Sequence, residues 1–181
     1  MIAQLEAGHP YVDGLTGNVR VYAWTNGSAT PYSNAVDSAT ERQSGWGLSV
    51  DQPVTETATL FVRYGQATEG NVRFDHAVTA GLELSGAAWG REKDRLGFAG
   101  GWLSASKGFE ADSPTLDRDG LDGPDFGYAA SGAERLAELY YAWQVNDHLE
   151  VTPDLQWIVR PGADGAAEDI TVVGLRATMG F

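Results

Sequence analysis

The stretch ELYYAWQVNDHLEVTPDLQWIVRPG, residues 138–162, decides the fold class. Its first half places an apolar side chain at every second position, at Leu139, Tyr141, Trp143 and Val145. A second alternating run follows the short turn 146–148, as it would in a β-hairpin. The apolar spacing in 133–144 alone suits a helix equally well, but the hairpin pattern favours a strand.

The same period of two recurs along the chain between clusters of Gly, Asp, Asn, Ser and Pro, and it predicts an all-β fold. Eight strands are expected, at about 18–26, 45–52, 58–66, 77–86, 95–104, 134–145, 149–160 and 169–181. Residues 2–7 fit the remnant of another strand. Most segments have close to the 9–11 residues of a tilted membrane-spanning strand. We therefore expect an antiparallel transmembrane β-barrel of the outer-membrane type, with about eight strands in this chain.

The composition narrows the class of protein and its partners. A chain of 181 residues is expected to form a single domain, residues 1–181. Its 12 basic and 25 acidic residues give a net charge of −13, which argues against nucleic acid as a partner. Cysteine is absent, so disulfides and thiolate metal sites are excluded. The start, MIAQLEAGHP, lacks a signal-peptide pattern, so an exported protein would begin here as a mature form or as a barrel segment truncated at the N-terminus.

The connections between the expected strands alternate in length, which orients the barrel. Short ones fall near 52–57, 87–94 and 146–148, and longer ones fall at about 27–44, 67–76, 105–133 and 161–168. Outer-membrane barrels have short periplasmic turns and longer external loops. If the C-terminal Phe181 is periplasmic, every short turn lies on the periplasmic side. The strand that ends at Phe181 is also expected to engage the barrel-assembly machinery.

Along each expected strand, every second position is mainly apolar, and these positions are called here the apolar parity. The aromatic residues among them cluster towards the two ends of the strands. Those near the external ends are Trp46, Tyr64, Trp102 and Trp157, and those near the periplasmic ends are Phe98, Tyr141, Trp143 and Phe181. Because Trp and Tyr favour both membrane interfaces, the pattern predicts two aromatic girdles around a band in contact with outer-membrane lipid. The alternative is a β-sandwich core with scattered aromatic residues.

The opposite parity carries the charges and a second set of aromatic residues. Its candidate pore-lining members are Arg20, Tyr22, Trp24, Arg63, Glu83, Glu138, Tyr140, Asp154, Gln156 and Arg176. A basic side chain facing lipid costs roughly 2–4 kcal/mol at mid-membrane, so confinement of charge to one parity fits an aqueous lumen. A solvated face or a sealed network of ion pairs would give the same pattern. In an open lumen these residues would offer hydrogen bonds and aromatic faces to small carbohydrates or other polar solutes.

Six segments together resemble the C-terminal half of the carbohydrate-selective porins of the OprB type: 17–27, 45–54, 60–67, 96–104, 138–162 and 174–181. The most specific part is TPDLQWIVRPG, residues 152–162. The resemblance implies an outer-membrane pore of roughly sixteen strands for passive diffusion of monosaccharides. More chain precedes this segment in the family. The chain would thus be half of such a porin, a small barrel closed on itself, or one of several chains that complete a barrel.

The leading function is therefore an outer-membrane porin segment. The alternatives are a closed eight-stranded barrel that serves as a structural anchor or adhesion platform, and a soluble β-sandwich binding module. No enzyme is predicted, because no nucleophile elbow appears and the carboxylates Glu83, Glu138 and Asp154 are explained as pore lining. No cofactor is expected. The acidic run 112–125 misses the spacing of an EF-hand, so no metal site is predicted.

Overall fold

The structure, a computed structural model, describes residues 1–12, 14–33, 40–121 and 123–180. In this part of the chain nine strands form one sheet, in which each strand pairs antiparallel with the next. They are β1 (Ile2–Val12), β2 (Leu15–Ala29), β3 (Glu41–Thr55), β4 (Ala58–Glu69), β5 (Phe74–Ser85), β6 (Arg95–Ala105), β7 (Ala133–Asn146), β8 (Leu149–Val159) and β9 (Ile170–Met179). Among the described residues of the connections there are one short helix, α1 (Lys107–Asp112), and two 3-10 turns, Gly86–Trp89 and Pro161–Ala163.

All eight expected strands are present in the sheet. The ambiguous segment 133–144 is strand, within β7. Residues 2–7 belong to a complete strand, β1, so the described residues form nine strands instead of eight. The sheet is open within these residues, because β1 pairs only with β2 and β9 only with β8. A small barrel closed on its own strands is therefore wrong for this chain. No described helix is long and apolar enough to cross a membrane.

The hairpin connections differ in length between the two ends of the sheet. Those at one end, the turn end, are residues 13–14, 56–57, 86–94 and 147–148, and those at the other, the loop end, are 30–40, 70–73, 106–132 and 160–169. The alternation follows the sequence-based expectation at most positions. One loop is shorter than expected, because β4 continues to Glu69 and β5 begins at Phe74.

Exposure along the strands is the reverse of that in a soluble sheet. On β8 the apolar Leu155 and Trp157 are 48% and 51% exposed, whereas the polar Asp154 and Gln156 are half-buried. On β7, Leu139 is likewise exposed between half-buried neighbours. The described residues contain no second sheet that could cover the apolar face. The β-sandwich alternative is therefore wrong, and the apolar face requires an apolar environment from outside the chain.

A buried cluster of side chains lies in the loops, beyond the loop end of the sheet. Phe109 of α1 is fully buried, with its ring centroid 5.2 Å from that of Tyr32. Burial and a 2.8 Å hydrogen bond that Tyr32 donates to Asp112 raise the pKa of the Tyr32 phenol to about 12. Ser106 caps α1 by accepting from Phe109 N, and it donates to Val72 O at 2.6 Å. The loop after β6 is thus fixed to the loops that follow β2 and β4.

At the turn end, a buried carboxylate fixes the connection 86–94 to β7. Asp94 is 1% exposed and forms a salt bridge with Arg91. The carboxylate also accepts from Tyr141 Oη and, at 3.0 Å, from Gln144 N. The Arg91 guanidinium, together with these two donors, lowers the pKa of Asp94 to about 2 against the opposing effect of desolvation. Asp94 is therefore ionised at neutral pH.

Replacing Asp94 with Asn is expected to destabilise the folded chain at neutral pH, because the amide loses the ion pair with Arg91. The folded-state pKa lies below the ordinary value, so the stabilisation is present above about pH 4 and is lost as the pH falls towards 2. Unfolding temperatures of the two proteins in detergent, followed by circular dichroism, should differ most above pH 4 and converge near pH 2.

Asp147→Asn is the matched control for this experiment. Asp147 pairs with Lys93 at 2.5 Å, but the two side chains are 78% and 69% exposed, and exposed ion pairs contribute little to stability. If Asp147→Asn lowered the unfolding temperature as far as Asp94→Asn, the role assigned to the buried carboxylate would be contradicted.

Candidate pore wall and lipid-facing surface

Strand register places all predicted pore-lining residues on one face of the sheet, called here the polar face. For example, Glu83 pairs with Gly97, Gly97 pairs with Tyr140, and alternation along each strand extends the face. The predicted residues found on it are Arg20, Tyr22, Trp24, Arg63, Glu83, Glu138, Tyr140, Asp154, Gln156 and Arg176. The charged and aromatic candidates therefore share one surface.

An ion-pair cluster spans β1 to β4 on the polar face. The Arg20 guanidinium lies between Glu6, at 3.0 Å, and Asp51. Arg63 Nη2 approaches Asp51 Oδ1 at 3.6 Å, and its guanidinium carbon lies 4.7 Å from the centroid of the Phe61 ring. The Arg63 side chain is 56% exposed and the Arg20 side chain 28%. Arg63 is therefore the guanidinium of this cluster that is more open to a solute.

A second cluster spans β5 to β8, closer to the turn end. Tyr140 Oη donates to Glu83 Oε2 at 2.5 Å. Arg95 lies between Glu83, at 4.0 Å, and Glu150, at 2.9 Å. The cluster residues that sequence analysis missed are Glu6, Asp51, Arg95 and Glu150. Each lies within one residue of an end of its expected strand, and alternation extended to the strand ends would have found them.

The polar face continues across β7 to β9. Gln156 Nε2 donates to Asp154 Oδ1 at 3.1 Å, and Glu138 stands opposite Gln156 in the strand register. Arg176 is exposed on the edge strand β9 and forms no ion pair or hydrogen bond with another described side chain. Charged, amide and phenol groups are therefore found together on the polar face as far as the edge strand β9.

Aromatic side chains on the polar face lie against glycines of the neighbouring strand. A methyl group added to Gly97 would overlap the Tyr140 ring, and one added to Gly47 would overlap the Tyr22 ring. Both glycines directly face these tyrosines in the strand register. The absence of a side chain at these positions lets each ring lie along the wall instead of projecting from it.

The predicted girdle residues lie on the opposite, apolar face. Five of them are at least two-fifths exposed: Trp46 40%, Trp143 45%, Trp102 46%, Trp157 51% and Phe98 55%. Tyr64 is half-buried, with its ring centroid 5.2 Å from that of Trp46. Phe181 lies outside the described residues. The exposed aromatic surface is thus distributed towards both ends of the sheet.

A pair of aromatic residues at the turn end extends the predicted girdle. Tyr141 is half-buried, donates to Asp94, and accepts from Trp89 Nε1 at 3.2 Å. Trp89 is 39% exposed, and its ring centroid lies 6.2 Å from that of Tyr141. Sequence analysis missed Trp89 because it lies in a turn, where no alternation assigns a side chain to a face. Only the folded turn brings the two rings together.

Three carboxylates in the loop between β6 and β7 lie within reach of one another. Oxygens of Asp117, Asp119 and Asp125 are all within 4.8 Å. Arg118 forms an ion pair with Asp125 at 2.8 Å and thereby lowers the pKa of that carboxyl. Asp117 accepts from Gly120 N at 2.7 Å. The carboxylates of Asp117 and Asp125 therefore have partners within the loop itself, and these bonds explain why the acidic groups lie close together.

The sequence and the fold both match known proteins. The family model for carbohydrate-selective porins of the OprB family matches residues 6–181. Among solved structures, the chain is similar to the high-pH structure of Pseudomonas putida OprB, with a TM-score of 0.78 and 25% sequence identity. The match covers 98% of this chain and 48% of that one, so the chain spans about half the length of the solved relative. A search of curated proteins found no match.

Substituting Gly97 with Ala is expected to displace the Tyr140 ring from the wall. Forcing a methyl group into this packed position costs about 1–3 kcal/mol, and the displaced phenol loses its hydrogen bond to Glu83. We expect a lower unfolding temperature and faster nitration of Tyr140 by tetranitromethane, measured by peptide mass analysis.

Gly100→Ala, on the same strand, controls for the loss of glycine itself. The added methyl carbon would meet only Leu136 O, at 3.8 Å, which is an ordinary contact. Equal changes in the two variants, or an unchanged nitration rate in Gly97→Ala, would contradict the packing of Tyr140 on Gly97.

Proposed function

Because the chain belongs to the carbohydrate-selective porin family of the OprB type, we propose that it forms part of the wall of an outer-membrane pore. Small sugars and other polar solutes would cross this pore by passive diffusion. The proposal rests on one observation above all: apolar side chains such as Leu155 and Trp157 are about half exposed, whereas the polar Asp154 and Gln156 beside them on the same strand are less exposed. A wall between lipid and water requires this arrangement.

The two ends of the sheet then face different compartments. The turn end, where three of the four connections have two residues, would lie in the periplasm, and the loop end outside the cell. Trp46, Trp102 and Trp157 would form the external girdle, and Phe98, Trp143 and the newly found Trp89 the periplasmic one. The barrel-assembly machinery would engage the last strand, β9.

The polar face offers a sugar many weak contacts and no single tight site. Carboxylates such as Glu138 accept hydrogen bonds from hydroxyl groups, and the exposed guanidinium of Arg63 donates them. Tyr22 and Tyr140 lie along the wall, where they add apolar surface to the polar one. Weak, repeated binding permits entry and release, as passage through a channel requires. No covalent step and no cofactor is needed.

The two edge strands, β1 and β9, limit how the barrel can be completed. In an antiparallel sheet of nine strands, β1 and β9 run in the same direction. Antiparallel closure therefore needs an odd number of additional strands. A second copy inserted with the same orientation would place its β1 parallel to β9, whereas bacterial outer-membrane barrels are antiparallel throughout. We therefore favour strands other than a second copy of this chain as the partners at these edges.

Reconstitution into planar bilayers tests the proposed pore. We expect discrete conductance steps, and we expect liposomes that carry the chain to swell in isotonic monosaccharide. The absence of steps and of swelling, under conditions in which a control porin produces both, would overturn the proposed function.

Arg63→Ala should shift the ion selectivity of the channel towards cations. A unit charge about 10 Å from a permeating ion in water contributes about 0.4 kcal/mol, which corresponds to about a twofold change in the permeability ratio. Reversal potentials measured in a salt gradient give this ratio. Arg176→Ala should act in the same direction.

Glu83→Gln is the control of opposite sign. It removes a negative charge from the same face and should shift selectivity towards anions. Unchanged reversal potentials in Arg63→Ala, or a shift of the same sign in both variants, would contradict the assignment of the polar face to the lumen.

A further inference from the structure

Arg135 departs from the separation of charge between the two faces. Arg135 is on the apolar parity of β7, where the register pairs it with Trp102 of β6 and Val159 of β8. Its neighbour Glu134 has the opposite parity and accepts from Gly162 N at 2.7 Å. Arg135 is therefore a basic side chain on the face that we assign to lipid.

The environment of Arg135 holds the guanidinium in place without neutralising it. The guanidinium carbon lies 4.4 Å from the centroid of the Trp102 ring, which is a cation–π contact. Arg135 is exposed, and no described carboxylate lies within ion-pair distance of it. The ring covers one face of the planar group and leaves its N–H donors at the edge available. An anion could bind there.

Arg135 stands at the loop end, where a lipid-facing charge is tolerated. It is the third residue of β7, which begins at this end. The cost of a basic side chain on the lipid face falls from its maximum at mid-membrane to nearly zero at the interface. At this level Arg135 would meet the headgroups of the outer leaflet instead of its hydrocarbon.

A shallow groove of about 350 Å³ joins the guanidinium to apolar surface. Its lining residues are Arg135, Leu136, Ala137, Trp157, Val159 and Asp169. The register places Ala137 opposite Trp157, one step further from the loop end than the pair of Arg135 and Val159. The groove thus has a cationic end towards the loops and an apolar floor towards mid-membrane, which is the polarity of a lipid that stands in the outer leaflet.

We propose that this groove binds an outer-leaflet lipid with an anionic phosphate headgroup. The phosphate lies on the edge of the Arg135 guanidinium, and an acyl chain runs along Ala137, Val159 and Trp157. Asp169, the carboxylate in the lining, keeps the phosphate on the Arg135 side of the groove. The site rests on the assignment of the apolar face to lipid, and it lies on the face opposite to the proposed path of the sugar.

Native mass spectrometry of the full chain in detergent tests the site, with lipid A as the probe. We expect the wild type to retain lipid A, and inorganic phosphate at the same concentration to compete poorly because it lacks the acyl contacts. Arg135→Gln removes a charge-assisted hydrogen bond and should weaken retention about tenfold. Asp169→Asn, measured with EDTA present, should retain lipid A as well as the wild type or better.

Lys93→Gln is the matched control, because it removes the same single charge from the turn end. It should retain lipid A as the wild type does. Equal retention by Arg135→Gln and the wild type, equal losses in Arg135→Gln and Lys93→Gln, or full displacement of lipid A by inorganic phosphate would each overturn the site. Conductance is measured separately, so a chain that conducts but fails this test refutes the lipid site alone.

Discussion

The fold depends on one requirement: backbone N–H and C=O groups that face hydrocarbon must be paired within the protein. The continuous antiparallel ladder from β1 to β9 meets this requirement across the sheet. Its weak point is Pro153, which has no N–H to donate: between the pairs Tyr140–Asp154 and Trp143–Val151 no β7–β8 pair is formed, although the register is the same on both sides. Asp94 reaches this part of β7, where its carboxylate accepts from Tyr141 Oη and Gln144 N. The buried carboxylate thus extends the hydrogen bonding of β7 beyond its last pair with β6, that of Ala142 with Arg95.

A second constraint follows from the first, because a wall one sheet thick has no core between layers. Packing on the polar face is supplied within the sheet, by rings such as Tyr140 that lie over glycines of the next strand. Ion pairs such as that of Arg20 with Asp51 then link strands sideways. These contacts hold long side chains against the wall, so that space beside it stays open for solutes. The same contacts that stabilise the sheet therefore set the shape of the proposed path.

The strands and their two faces could be predicted from the sequence because a period of two is a local property. Features that depend on register or on turns could not. Trp89 and Asp94 lie in a turn whose folding brings them to Tyr141, 52 and 47 residues away along the chain. Arg135 lies near the end of an expected strand. Its place in the alternation did not indicate that its guanidinium would contact the Trp102 ring. Whether residues 2–7 formed a complete strand also depended on pairing, since the match to β2 determines it.

The two ends of the wall are held by different physical means, and this difference fits their environments. At the turn end the buried, strongly acidic carboxyl of Asp94, paired with the partly exposed Arg91, fixes one turn against the sheet. At the loop end an aromatic cluster around Phe109 fixes the longest loop to its neighbours. Because Phe109 packs beside Ala105, at the end of β6, the loop is anchored directly to the rim of the sheet. In the proposed pore this anchoring would keep the loop ordered at the mouth, since a free loop of this length would sample the opening.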